Sequence, residues 1–139
     1  MPERICIDKE DRSFYEKAKK ENILNFEKKI QKDQFLLAMA IGFDNKQKRE
    51  IKTKEDFFYD FDLRPEDTAL LNAVALYESG TVDIIDDDKK VFDIAQQYAS
   101  AGIRILCDTI DNTQFGEFDK HFEKDLVNAY RKLFEGSET

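Results

Sequence analysis

The chain reads as a mainly α protein, a compact single-domain helical bundle of about five helices. Three observations predict this. Near-continuous apolar runs (FLLAMAIG, ALLNAVALYESG and VFDIAQQYASAGIRIL) fill the stretch from Phe35 to Leu106. Their Ala, Leu and Met content favours helix over strand. The C-terminal stretch then repeats Phe118, Phe122, Leu126, Tyr130 and Leu133 at helical spacing. At 139 residues the chain has the size of one domain, and its 12 Phe and 5 Tyr supply bulk for a core.

The elements follow in order. Arg4-Ile5-Cys6-Ile7 is short and apolar enough to lie extended against the core. Asp8 offers an N-cap for a first helix from about Lys9 to Lys20, whose narrow stripe of Phe14, Tyr15 and Ala18 marks a surface helix. Residues 21–32 fit either one side of a helix or a loop that tucks Ile23, Leu24, Phe26 and Ile30 inward. The run Phe35–Ile41 could be a buried strand or a buried helix; its composition selects the helix, and Gly42 sits where a left-handed C-cap would end it. Residues 43–54 are polar and basic, and read as an exposed loop or a small hairpin, so that short extended segments are expected at most near the N-terminus and over 43–52. Thr53 is placed to cap a short helix through Phe61, with Glu55 and Asp56 in its first turn.

Pro65 belongs at a first helical position, Glu66 and Asp67 suit the first turn, and Gly80 closes the helix. This segment is apolar on nearly all sides and is expected to be the central buried helix. Val82–Ile85 is expected as an extended link, and one of Asp86, Asp87 and Asp88 caps the next helix. Along it, Ala99-Ser100-Ala101-Gly102 would let another helix approach closely; Gly102 either kinks or ends it, and the reading carries the helix through Leu106. The last helix is expected over Glu117–Phe134, with a frayed tail at 135–139.

Charge is unevenly distributed. Residues 1–54 carry 14 Lys/Arg against 10 Asp/Glu, and residues 55–139 carry 8 against 20, which together give the net −8. A polarised surface of this kind can present either sign to a partner. No run approaches the roughly 20 apolar residues of a membrane span, and the opening MPERICIDKEDRS has no apolar signal region, so a cytoplasmic protein is expected. Cys6 and Cys107 show no metal-ligand or redox spacing and read as two reduced thiols.

No set of residues looks equipped for catalysis. Nucleophilic chemistry usually pairs its nucleophile with a histidine, and the single His121 sits one turn from Asp125 as an ordinary surface pair. The five glycines are isolated, so no phosphate-cradling loop is present, and no cofactor is expected. Asp83, Asp86, Asp87 and Asp88 lack the ligand order of a calcium loop. Asp88-Lys89-Lys90 fits the short D-x-K element of some metal-dependent nucleases but opens a helix instead of lying on a strand, so capping explains these aspartates better and no metal is expected. The candidate binding residues are Lys46, Lys48, Arg49, Lys52 and Lys54, five cations in nine positions, followed by Phe57, Phe58, Tyr59 and Phe61. Basic loops beside aromatics can hold a phosphate backbone and stack bases, but Asp56, Asp60 and Asp62 interleave with these rings and would repel it.

The order of segments resembles a known family. A strand-like start precedes Phe35–Phe43, a basic loop around Lys48-Arg49, Leu70–Gly80, and a helix carrying Ile94-Ala95-Gln96-Gln97-Tyr98-Ala99 with Gly102-Ile103. Over residues 4–106 this is similar to the DNA phosphorothioation-associated protein 4 family, accessory proteins of sulfur-modification and restriction clusters. The resemblance brings no active-site set. It implies a prokaryotic cytosol, a defence system acting on DNA, and protein components of a modification and restriction complex as partners, with DNA as a further partner in the alternative reading. That alternative is a small DNA-binding or regulatory protein using the loop 46–54; a metal-dependent nuclease using Asp83 and Asp88 is the third.

Overall fold

The structure is a computed structural model that describes residues 3–112. The expected helix over Glu117–Phe134, with His121, and the expected tail at 135–139 lie outside these residues. Among the described residues there are two strands and four α-helices: β1 (Arg4–Asp8), α1 (Arg12–Glu21), α2 (Gln31–Asp44), β2 (Lys54–Tyr59), α3 (Pro65–Ser79) and α4 (Asp88–Asn112). Short 3-10 turns lie at Lys9–Asp11, Ile23–Lys28, Asp60–Asp62 and Val82–Asp86. The chain is mainly helical, and one hydrophobic cluster draws residues from both strands and all four helices.

The centre of that cluster is α2. Every residue from Gln34 to Gly42 is buried, so this helix is surrounded by protein along its middle. The expectation that residues 65–79 would be central is overturned. Leu70, Leu71, Val74 and Ala75 of α3 are buried, but Tyr77 is 65% exposed. The apolar run of α3 covers one side of the core while its remaining positions face out. Its ends are as expected: Pro65 opens it, the amide of Arg64 donates to Asp67 Oδ2 at 2.9 Å, and Gly80 closes it at φ 74°.

Helix α2 packs on α4 along the largest helix contact among the described residues. Gly42 is not a cap, because the helix continues through it to Asp44. Its role is spacing: a Cβ there would stand 2.0 Å from the carbonyl oxygen of Tyr98. Gly102 answers from the other side, where a Cβ would stand 1.7 Å from the carbonyl oxygen of Ala38. The two glycines let the backbones touch, and α4 runs straight through Gly102 to Asn112. The small-residue run of α4 thus serves the close approach expected of it.

A second correction concerns residues 53–61. Instead of a helix capped by Thr53, Lys54–Tyr59 forms a strand antiparallel to β1, so the extended segment lies beyond the expected 43–52. Ile5 pairs with Phe58 and Cys6 with Asp56, which leaves Phe57 as an extra, bulged residue. The bulge allows Phe57 and Phe58, neighbours in sequence, both to be buried. Phe57 packs on Tyr15 at 4.7 Å between ring centroids, and Phe58 on Phe35 at 5.3 Å. On its other edge β1 is held by α4, where Cys6 N donates to Gln96 Oε1 at 2.8 Å.

The remaining links are tight turns. Asp8 caps the Lys9–Asp11 turn by accepting from Glu10 N at 3.1 Å, so the α-helical part begins only at Arg12. Asn22 ends α1 in the left-handed region at φ 49°. The open stretch 21–32 then resolves into a 3-10 turn with Phe26 fully buried, held from α2 by Gln34 Nε2, which donates to the carbonyls of Phe26 and Lys29. Val82–Asp86 is a 3-10 turn and not the extended link expected. Asp87 caps α4 by accepting from Lys90 N at 3.2 Å. No described helix is long and apolar enough to cross a membrane.

Candidate partner-binding surfaces

Of the five cations singled out in the sequence, Lys46, Lys48, Arg49 and Lys52 lie on the connection between α2 and β2, and Lys54 opens β2. The backbone of the connection is pinned at several points. Asn45 ends α2 by donating Nδ2 to the carbonyl of Ile41 at 2.8 Å, and Lys46 turns the chain at φ 55°. Gln47 N then donates to Gly42 O, Arg49 N to Gln97 O of α4, and Lys9 N to Thr53 O. The segment is therefore moulded onto α4 and the end of β1.

Three of the five side chains are committed to partners within the fold. Lys48 pairs with Glu78 of α3, which also accepts from Tyr98 Oη at 2.6 Å. The Lys48 and Tyr98 bonds hold the Glu78 carboxyl below its ordinary pKa, and burial together with Glu78 raises that of the Tyr98 phenol. Lys54 reaches Asp93 of α4 at 3.2 Å. Arg49 enters the deepest arrangement: its guanidinium donates to Asp8 Oδ2 and Ser100 Oγ, both at 3.3 Å, and lies 3.5 Å from Glu10. Lys46 and Lys52 are exposed and form no ion pair among the described residues, though the Lys52 amide donates to Asp8 Oδ2 at 3.0 Å.

Beneath Arg49 lie two fully buried carboxylates, Asp8 and Asp11. Ser100 Oγ donates to Asp11 at 2.5 Å and Arg104 Nε at 2.9 Å. The two acids diverge in proton affinity. Burial acts to raise the pKa of Asp8, but the amides of Lys52 and Glu10 and the Arg49 guanidinium outweigh it and hold the carboxyl below its ordinary range. At Asp11 burial prevails over Ser100 and Arg104, and the pKa rises. The cluster ties the loop and the start of the chain to α4: Asp8 holds the loop through Arg49 and the Lys52 amide, and Asp11 holds α4 through Ser100 and Arg104.

A second surface emerges only in three dimensions. A cavity of about 470 Å³ opens between the start of α2 and strand β2, lined by Ile30, Lys32 and Arg4 with Phe57, Phe58 and Tyr59. Two of its lining residues, Ile30 and Tyr59, are 60% and 39% exposed, and Phe61, two residues beyond Tyr59, is 68% exposed. The Tyr59 and Phe61 rings stack at 5.1 Å with 10° between their planes, and the Arg4 guanidinium lies 5.7 Å from the Tyr59 ring centre. Arg4 also pairs with Asp56 at 2.7 Å. Lys32, itself buried, sits between Asp67 at 2.7 Å and Asp33 at 3.1 Å. Burial opposes the charge of Lys32, but its two carboxylates hold the ammonium pKa above its ordinary value.

The remaining sequence candidates are dispersed. Asp83, Asp86 and Asp88 are exposed, Asp87 serves as the helix cap, and among the described residues no three His, Cys, Asp or Glu side chains stand together as a metal-binding set. Cys6 and Cys107 are both free and buried. Sequence reasoning took Phe57, Phe58, Tyr59 and Phe61 as one aromatic group. The structure divides it, with the first two in the core and the last two in solvent. The interleaved Asp60 and Asp62 were the available signal, since they flank the ring that stays outside. Comparison with known proteins found no matching family model, no matching curated protein and no matching solved structure.

Proposed function

We propose that this chain is a non-catalytic accessory or adaptor protein that acts through contacts with other proteins, in a prokaryotic DNA phosphorothioation-dependent modification and restriction system. The defence context rests on the residue pattern of Phe35–Phe43, Leu70–Gly80 and Ile94–Ile103. The accessory role is carried by one observation: the four buried charged groups among the described residues, Asp8, Asp11, Lys32 and Asp67, are all engaged in holding segments of the fold together. The proposed contact surface is the loop 46–54, presented through Lys46 and Lys52, with Lys48, Arg49 and Lys54 fixing its shape.

Direct DNA binding by the same loop is the second reading. Each phosphate neutralised contributes about 0.9 to the slope of log affinity against log salt. With Lys48, Arg49 and Lys54 held by Glu78, Asp8 and Asp93, the loop has two cations, Lys46 and Lys52, that form no ion pair among the described residues, which favours a protein partner. Affinity purification of the tagged protein from its native host, with mass spectrometry and a nucleic-acid assay, tests both. A stable complex with modification or restriction enzymes, lost in the double charge reversal Lys46→Glu/Lys52→Glu, is the expected result. Recovery of the protein alone, or with DNA, overturns the adaptor reading.

A further inference from the structure

We infer that the cavity between α2 and β2 is a docking groove for a segment of a partner protein that carries an apolar side chain flanked by Lys or Arg. Three features of the groove specify that occupant. The cavity falls within the size range of side-chain-lined binding pockets, roughly 300–1,000 Å³, at about 470 Å³. Its walls include the buried rings of Phe57 and Phe58, which suit an apolar insertion. Its lining includes the exposed Ile30 and Tyr59, and the exposed Phe61 stacks on Tyr59, so large apolar groups stand in water here as at protein-binding patches.

Charge selects the flanks of the segment. Four charged residues line the groove, Arg4, Lys32, Asp56 and Asp62. Lys28 and Lys29, just before Ile30, lie outside this lining and form no ion pair among the described residues. Both lining cations are already paired, Arg4 with Asp56 and Lys32 with Asp67 and Asp33, which leaves Asp62 as the lining charge without an ion pair among the described residues. Asp60 and Asp62, on either side of the exposed Phe61, form no ion pair among the described residues. A basic side chain beside the inserted apolar group would meet them at the patch's edge, where charge complementarity sets partner choice.

The same charges weigh against two other occupants. Stacked Tyr59 and Phe61 offer faces for nucleic-acid bases, but Asp60 and Asp62 would repel the phosphates beside them. A second copy meeting this face by two-fold symmetry would bring the same carboxylates together. The partner's class rests on the accessory reading above, whereas the groove's preference for a basic, apolar segment is tested without it.

The test uses the full chain, isotope-labelled for amide chemical shifts, against short fluorescent peptides. One set has a central Leu, Phe or Trp flanked by Lys and Arg; a second has Glu at the flanks; a third keeps the basic flanks around a central Ser. The first set alone should bind, with shifts centred on Ile30, Phe58, Tyr59 and Phe61. The double variant Ile30→Ser/Phe61→Ser, at two exposed positions, should weaken binding at least about tenfold while leaving the fold intact. Asp60→Lys/Asp62→Lys should weaken the basic peptides and admit the Glu-flanked set. Equal binding of all sets, binding unaffected by these variants, or no binding overturns the inference. So does self-association by sedimentation, or oligonucleotide binding, that Phe61→Ser abolishes. Native-host purification separates the two readings. A complex retained by Ile30→Ser/Phe61→Ser overturns the groove and leaves the adaptor standing; peptide binding by a protein purified without partners does the reverse.

Discussion

The loop 46–54 and the groove beside β2 are opposites in how they use their side chains. The loop carries the densest positive charge in the sequence, yet the fold absorbs most of it: Glu78, Asp93 and Asp8 each take one of its cations. The exposed apolar groups at the groove are an isoleucine before a helix, a ring at the end of a strand and another just after it. The fold leaves all three in solvent. A side chain's availability to a partner is decided by what other elements bring to it, and that depends on tertiary neighbours far along the chain.

Four changes would break or sharpen this contrast. The largest effect is expected from Arg49→Ala, which leaves the fully buried Asp8 with only the Glu10 and Lys52 amides as donors. Removing one partner of a buried charge pair costs about 3 kcal/mol. Urea unfolding should show that loss, with faster hydrogen exchange at the Lys52 amide, and Arg49→Lys should recover part of it.

Acid titration comes next. Because the folded-state pKa of Asp8 is depressed, its contribution is fully present above its unfolded value, about 3.9, and is lost as pH falls through the lower folded value. Asp67, also depressed, follows the same course. Asp11, whose folded pKa is raised, has the opposite sign, and its protonated form favours folding. Unfolding measured at several pH values should therefore show an acid loss of stability that Asp8→Asn makes shallower and Asp11→Asn does not.

Smaller still is Lys48→Ala. The lysine side chain is 47% exposed, and a surface pair of this kind is worth about 0.5 kcal/mol. A larger loss in thermal unfolding would show that the loop is held more by Glu78 than by Asp8. The smallest stability change is expected for Phe61→Ser, within about 0.5 kcal/mol because the ring is 68% exposed. A substantial loss there would mean that the ring stabilises the fold instead of serving a partner.

Much of the architecture was legible locally. Pro65, Gly80 and the aspartates before α4 mark their helix ends by short-range chemistry, and the apolar runs identify α2, α3 and α4. What escaped was tertiary. Gly42 reads as a cap because glycine commonly ends helices, but its reason for being there is the Tyr98 carbonyl 56 residues later. Strand β2 was hidden because the bulge at Phe57 disrupts the alternation by which a strand is recognised, and because its partner lies at the start of the chain. The loop cations were found by composition. Their pairing was invisible, since Asp8, Glu78 and Asp93 are contributed by three different elements. The groove depends on the same unseen strand, so it could not have been read before the sheet was known.

The two cysteines carry a consequence for labelling chemistry. Burial and the nearby Asp56 raise the Cys6 thiol, and burial above all pushes Cys107 up to about 11. Only the thiolate attacks a disulfide reagent, so at neutral pH about one Cys107 in ten thousand is reactive even before access is considered. Cys107 also donates its thiol to the Phe14 carbonyl of α1, whereas Cys6 lies in the sheet beside Asp56. The pair thus forms two native stopwatches. The rate at which a thiol reagent consumes each one times the opening of a different part of the molecule, with no label added.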